Sequence, residues 1–161
     1  MPARRQIIGL ALWCGLCLAV GFTGSIATNS SLADWYPGLT KPSWTPPSWL
    51  FAPVWTALYI MMGVAAWRVW KPGGFAAAKI PLGLFLMQLC LNAAWSWLFF
   101  GLRNPLAGLI DIALLWIAIA ATAVSFKSVS VGAAWLMLPY FLWVSYASAL
   151  NFALFRLNGS H

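Results

Sequence analysis

The chemistry open to this chain lies in indoles and amides, because ionisable groups are almost missing. It carries 12 tryptophans in 161 residues, but only two acids, Asp34 and Asp111, and one histidine, His161. General acid–base catalysis needs titratable groups in hydrogen-bond reach of a substrate. Two scattered carboxylates do not supply that. His161 falls in Gly159-Ser160-His161, which reads as the remnant of a tag, so haem or zinc ligation through histidine is excluded. Cys14 and Cys17 form a C-x-x-C inside an apolar run, and Cys90 lies in another. They read as small apolar fillers, with no metal site and no cofactor expected. No phosphate-binding loop is present, which excludes ATP-driven transport.

The polar residues that do occur in apolar surroundings form stripes. Gln88, Asn92 and Ser96 are spaced i, i+4, i+8, one face of one helix. Trp143, Ala147 and Asn151 repeat that spacing further on, Asp111 lies between the two stripes, and Trp55 lies ahead of both. Pro139 cannot donate a backbone hydrogen bond and is expected to kink its helix one turn before Trp143. Indoles, aliphatics, a few amides and small residues describe the wall of an apolar pocket with few orienting groups. A flat aromatic ligand would stack on such indoles. The alternative is that the amides, Gln88 included, join helices, while Asp111 caps or bonds nearby backbone groups.

These residues are carried by five apolar runs. Ile7–Ala27, Leu50–Trp67, Ile80–Leu102 and Ser128–Phe155 contain no charge, and Leu106–Phe126 contains only Asp111. About 20 apolar residues cross a bilayer as a helix, since the backbone must satisfy itself in lipid. The fold class is therefore an all-α membrane protein, a five-transmembrane-helix bundle in one domain, 1–158. The expected helices are 6–27, 48–70, 80–102, 105–126 and 130–155. Hydrophobic residues at 63% and charged residues at 7% agree, against ~25% charged in soluble domains. The first run is too long for a cleaved signal, and no A-x-A site follows it.

The net charge of +7 comes from basic residues at the ends of the runs. That placement excludes a nucleic-acid face. Arg4, Arg5, Arg68, Lys71, Lys79 and Lys127 fall on the N-terminal side, and Lys41, Arg103 and Arg156 fall opposite. Six against three puts the N-terminal side in the cytoplasm of a bacterial cell membrane. Three of the links are short. The segment 28–47 is long, and holds Trp35, Tyr36 and Trp44 with Pro37, Pro42, Pro46 and Pro47. It is either an aromatic belt at the membrane interface or a lid over the bundle. Ala11, Gly15 and Ala19 form a small-residue stripe on the first helix, suited to a homodimer or to packing within the bundle.

Asp34-Trp35-Tyr36, then Lys41-Pro42-Ser43-Trp44-Thr45-Pro46-Pro47, then Trp55, Asn92, Asp111 and Pro139-Tyr140-Phe141-Leu142-Trp143 together resemble the translocator protein family, also called TspO or the peripheral benzodiazepine receptor. The match runs nearly the whole chain in order. The resemblance implies a five-helix bundle, often a homodimer, with residence in a bacterial membrane, the outer membrane included. It implies a receptor or transport-type protein that binds porphyrins such as protoporphyrin IX, sterols and benzodiazepine-type ligands beneath the first loop. Trp55, Asn92, Trp143 and Ala147 match the family's ligand-contacting positions. Trp35, Trp44, Pro46, Pro47, Trp95 and Asn151 complete the expected site. Trp35 and Trp143 match tryptophans implicated in porphyrin breakdown, so a photo-oxidative enzyme is one alternative, and a ligand-sensing regulator or scaffold is another. One departure is Tyr146, whose next basic residue is Arg156, too far for the short sterol motif.

Overall fold

The computed structural model describes residues 1–159, so the serine and histidine of the expected tag remnant lie outside the described residues. Five long helices dominate: α1 (Ala3–Leu32), α2 (Phe51–Trp70), α3 (Lys79–Ser96), α4 (Pro105–Lys127) and α5 (Val131–Asn158). No strand occurs among the described residues. Each helix is long and apolar enough to span a bilayer, counting the turn before α2 and the turn after α3. The chain is a multi-pass integral membrane protein.

Local chemistry sets the ends. Asn104 accepts from the Ala107 N–H at 3.0 Å, and Pro105 occupies the first turn of α4. Ser130 accepts from the Ala133 N–H at 3.2 Å and starts α5. Such caps satisfy amides that a helix start leaves open. Pro139 lies inside α5 without ending it.

Several bounds differ from the sequence expectation. α1 continues five residues into the expected loop, to Leu32. The polar run Thr28-Asn29-Ser30-Ser31 looks like a loop, yet its hydroxyls bond back into helical carbonyls. Thr28 Oγ1 donates to Gly24 O at 3.0 Å, and Ser30 Oγ to Ala27 O at 2.6 Å. Ser31 Oγ donates across to Phe100 O and ties α1 to the end of α3. The third run is not uniform. It widens into a π-helical turn over Trp97–Gly101, closed by the Leu102 N–H on Trp97 O at 2.8 Å. A one-turn helix, Gly74–Ala77, occupies the 71–79 link.

The N-terminal half of the bundle is solid. Met62, Leu82, Phe85, Ile119, Phe126, Met137 and Tyr140 are fully buried there, with Phe85 stacked on Phe126 at 5.8 Å. α1 and α2 meet through glycine. A Cβ on Gly63 would lie 2.6 Å from Cys14 Cα and 2.8 Å from its amide nitrogen. Backbone cannot yield as a side chain can. Gly63→Ala is expected to push the two helices apart and cost about 1–3 kcal/mol as overpacking. A lowered melting temperature in detergent, followed by circular dichroism, checks this. An unchanged value would mean that the seam has slack.

The Ala11, Gly15 and Ala19 stripe is exposed, and nothing approaches a Gly15 Cβ within 4 Å. Close packing inside the bundle uses Gly9, Gly21, Gly24 and Gly63 instead. Large apolar side chains such as Ile7, Phe22, Ile117, Val124 and Trp135 face outward, as a lipid-facing surface requires.

Candidate ligand cavity beneath the first loop

Away from the N-terminal side the helices separate around a cavity of about 580 Å³. Its wall is built from the second half of α1, the first half of α2, the end of α3 and the second half of α5. α4 contributes nothing to it. No charged side chain lines it among the described residues. A volume of ~300–1,000 Å³ with an apolar lining is the usual form of a small-molecule site.

Four indoles flank the cavity, Trp49, Trp55, Trp95 and Trp143. Trp55 stacks on Tyr59 at 5.6 Å and lies 6.5 Å from Trp95. Trp95 stacks on Phe99 at 5.5 Å. Trp143 lies 6.5 Å from Phe51 and 5.8 Å from Tyr146. Asn151 fixes this flank. Its Oδ1 accepts from Trp95 Nε1 at 3.0 Å, while its Nδ2 donates to Pro105 O at 2.8 Å.

The floor rests on a buried polar chain. Tyr59 Oη donates to Asn92 Oδ1 at 2.6 Å, and Asn92 Nδ2 donates to Tyr140 Oη at 2.8 Å. Tyr140 Oη donates to Gln88 Oε1 at 2.8 Å. Four side chains from α2, α3 and α5 are thus linked, and Gln88 Nε2 donates onward to Met62 Sδ at 3.8 Å.

The roof is the loop that follows α1, and it is pinned at several points. Asn158 makes two bonds to Thr40, accepting from its N–H at 2.8 Å and donating to its carbonyl at 3.0 Å. Tyr146 Oη donates to Trp44 O. Lys41 Nζ lies 4.7 Å above the Tyr36 ring, and Tyr36 is buried against Phe51 and Phe100.

Arg103 holds the start of this loop. Its Nη2 lies 2.8 Å from Asp34 Oδ2. That hydrogen bond, followed by one from the Trp35 N–H, keeps the Asp34 carboxyl below its usual range. A depressed folded value means the pair supports the loop above the ordinary carboxylate pKa. Support is lost as pH falls through the lower folded value. Both partners are substantially exposed, so the effect is small. Arg103→Gln is expected to quicken amide exchange in residues 33–40 at neutral pH, with the difference from the unmodified chain shrinking at acid pH. Equal exchange at neutral pH would remove the pair from the account.

Of the expected site residues, Trp55, Trp95, Trp143, Ala147 and Asn151 come together on the wall. Asn92 does not. It is 2% exposed, with both amide atoms engaged behind Tyr59. Trp35 packs edge-on against Phe99, off the wall. Trp44 points its ring at Tyr146 and remains 45% exposed. Pro46 and Pro47 are also off the wall, and Pro47 leads into the turn Ser48–Leu50 that starts the second span. Gln88 belongs to the polar chain. Asp111 is buried, but its Oδ2 has no partner, and Asn104 performs the backbone capping expected of Asp111.

The sequence reading passed over Tyr36, Phe51, Tyr59, Phe99, Phe100 and Tyr146. It also missed the α1 wall. Gly21, Ser25, Thr28 and Leu32 share one face by their spacing, and Tyr59 follows Trp55 by one turn. Those signals were present. Phe99 and Phe100 follow Trp95 and Ser96 at the same i, i+4 spacing, within the π turn.

A model of the TspO/MBR family matches residues 13–157. The chain is 51% identical to the tryptophan-rich protein TspO of Chlorobaculum tepidum, covering 96% of this chain and 99% of that one. It is 45% identical to the translocator protein of Homo sapiens, over 98% and 90% of the two chains. It is 35% identical to the tryptophan-rich sensory protein of Cereibacter sphaeroides, over 91% and 92%. With its five spanning helices and its aromatic cavity under the first loop, the chain belongs to the TspO/MBR family.

Proposed function

We propose that this protein binds a flat, largely apolar ligand of the tetrapyrrole class, such as protoporphyrin IX, in the cavity beneath the first loop. The carrying observation is an uncharged cavity flanked by Trp55, Trp95 and Trp143. Indole faces favour a planar aromatic partner. Sterols and benzodiazepine-type molecules belong to the same apolar class. Binding is the proposed act, in a receptor or transport-type protein. The photo-oxidative alternative draws on Trp35 and Trp143 together, and it is weakened because Trp35 packs on Phe99 rather than on the wall. The exposed Ala11, Gly15 and Ala19 stripe supports a proposed homodimer. The excess of basic residues on the N-terminal side supports a bacterial cell membrane with that side cytoplasmic.

Titration with protoporphyrin IX in nanodiscs, followed by tryptophan quenching in the dark, tests the proposal. Saturation at a fixed stoichiometry is expected. Quenching that rises without saturation, as in empty nanodiscs, would reduce it to partitioning into lipid.

A further inference from the structure

The cations at the N-terminal end of the bundle have no anions to pair with. That end carries Arg4, Arg5, Arg68, Lys71, Lys79 and Lys127, and the chain has only two acids. Asp34 pairs with Arg103 at the opposite end, and Asp111 is buried within α4. Two of the cations rest on indoles, Arg5 at 5.7 Å from the Trp70 ring and Lys71 at 5.0 Å from the Trp67 ring. Arg68 and Lys127 are exposed and enter no ion pair among the described residues.

Both of these stand beside the start of α5. Arg68 lies against Gly132, where a Cβ would come within 2.7 Å of its Nη1. The bare backbone at Gly132 is what lets the guanidinium lie on the helix. Towards α4, Lys127 stands at one end of a groove of about 220 Å³, which Val131, Ala134, Trp135 and Leu138 complete. Those four follow an i, i+3, i+4, i+7 spacing, one face of α5. The groove follows that face for ~10 Å at 1.5 Å per residue, inward from the membrane surface. Val131, Trp135 and Leu138 are exposed along it. Its volume falls below the ~300–1,000 Å³ of a drug-sized site. A narrow apolar track below a cationic mouth matches an acyl chain below an anionic headgroup. A zwitterionic headgroup would bring its own cation beside Arg68 and Lys127, whereas an anionic one would not. Basic clusters at the ends of spanning helices attract anionic lipid for this reason.

We propose that Arg68 and Lys127, with the groove along Val131, Ala134, Trp135 and Leu138, form a site for one anionic phospholipid. Its phosphate sits with the two cations and one acyl chain lies in the groove. The site is at the other end of the bundle from the cavity and does not depend on the cavity function.

The test is native mass spectrometry of the full chain in detergent, titrated with dioleoyl phosphatidylglycerol or dioleoyl phosphatidylcholine. The two lipids share their chains and phosphate and differ in net charge. The first phosphatidylglycerol is expected to bind at least about fivefold more tightly. Arg68→Gln and Lys127→Gln are each expected to remove about fivefold of its affinity, the contribution of one interfacial cation, and to leave phosphatidylcholine unchanged. Gly132→Ala keeps every charge but displaces the guanidinium, and should act like Arg68→Gln. Lys79→Gln removes a cation of the same end that is not part of the groove, and should change little. Val131→Trp, at an exposed position, should cover the groove and weaken both lipids. Circular dichroism controls for folding. Equal affinity for the two lipids would overturn the proposal. So would a loss on Lys79→Gln as large as on Lys127→Gln, which would show a diffuse field in place of a site. Unchanged binding by Val131→Trp would remove the acyl chain from the groove and overturn it too. Displacement of the lipid by an equal concentration of inorganic phosphate would show a site for the bare anion and overturn the lipid assignment.

Discussion

Ala147→Leu is expected to weaken porphyrin binding by at least about tenfold while leaving the fold intact. Ala147 lies on the cavity wall one turn beyond Trp143 and is only partly buried by its own neighbours. A leucine there extends into open volume, not into backbone, so the protein tolerates it and the ligand does not. Well-packed sites lose ~1–3 kcal/mol or more to overpacking, and a planar macrocycle cannot fold away from the added carbons. Trp143→Leu is the companion. It removes a stacking face and its area, and should cost about 1–3 kcal/mol. Titration in the same nanodiscs, with circular dichroism as the control for folding, measures both. If both variants bind like the unmodified chain while folded, the ligand sits elsewhere.

Asn92→Leu is expected to damage the bundle before it damages recognition. The amide joins Tyr59 and Tyr140 at 2.6 and 2.8 Å and is 2% exposed. Leucine would strand the Tyr59 donor in an apolar interior, and Tyr140 would lose an incoming bond. Hydrogen bonds between spanning helices contribute about 0.6–2 kcal/mol each, and a stranded donor costs about 1–3 kcal/mol. A total loss of about 2–4 kcal/mol follows. Trp55 stacks on Tyr59, so ligand binding should weaken too, for ligands with and without polar groups alike. A double-mutant cycle with Tyr59→Phe separates the terms, because removing both partners should cost less than the two single losses added. A melting temperature unchanged by Asn92→Leu would dissolve the polar chain as a structural element.

The sequence by itself determined the five spans, because lipid forces each apolar run to satisfy its own backbone and about 20 residues are needed to do so. It also determined which residue types could act, since two acids and one terminal histidine leave aromatics and amides. The stripe Trp143, Ala147, Asn151 was legible for the same reason that any helix face is, its fixed 3.6-residue period. Spacing says which residues share a face. It does not say whether another side chain stands between that face and the cavity. Asn92 shares its stripe with Ser96, which lines the wall, yet Tyr59 from α2 covers Asn92 and turns it into the support of the floor. Trp35 reads as a site residue, but Phe99 intervenes. α1 reads as ending near Ala27, but Ser31 finds Phe100 O and the helix continues to line the cavity. Each of these outcomes depends on a partner 33 to 69 residues away. Helical period and hydropathy are local quantities, whereas which donor meets which acceptor is fixed only when the helices are packed.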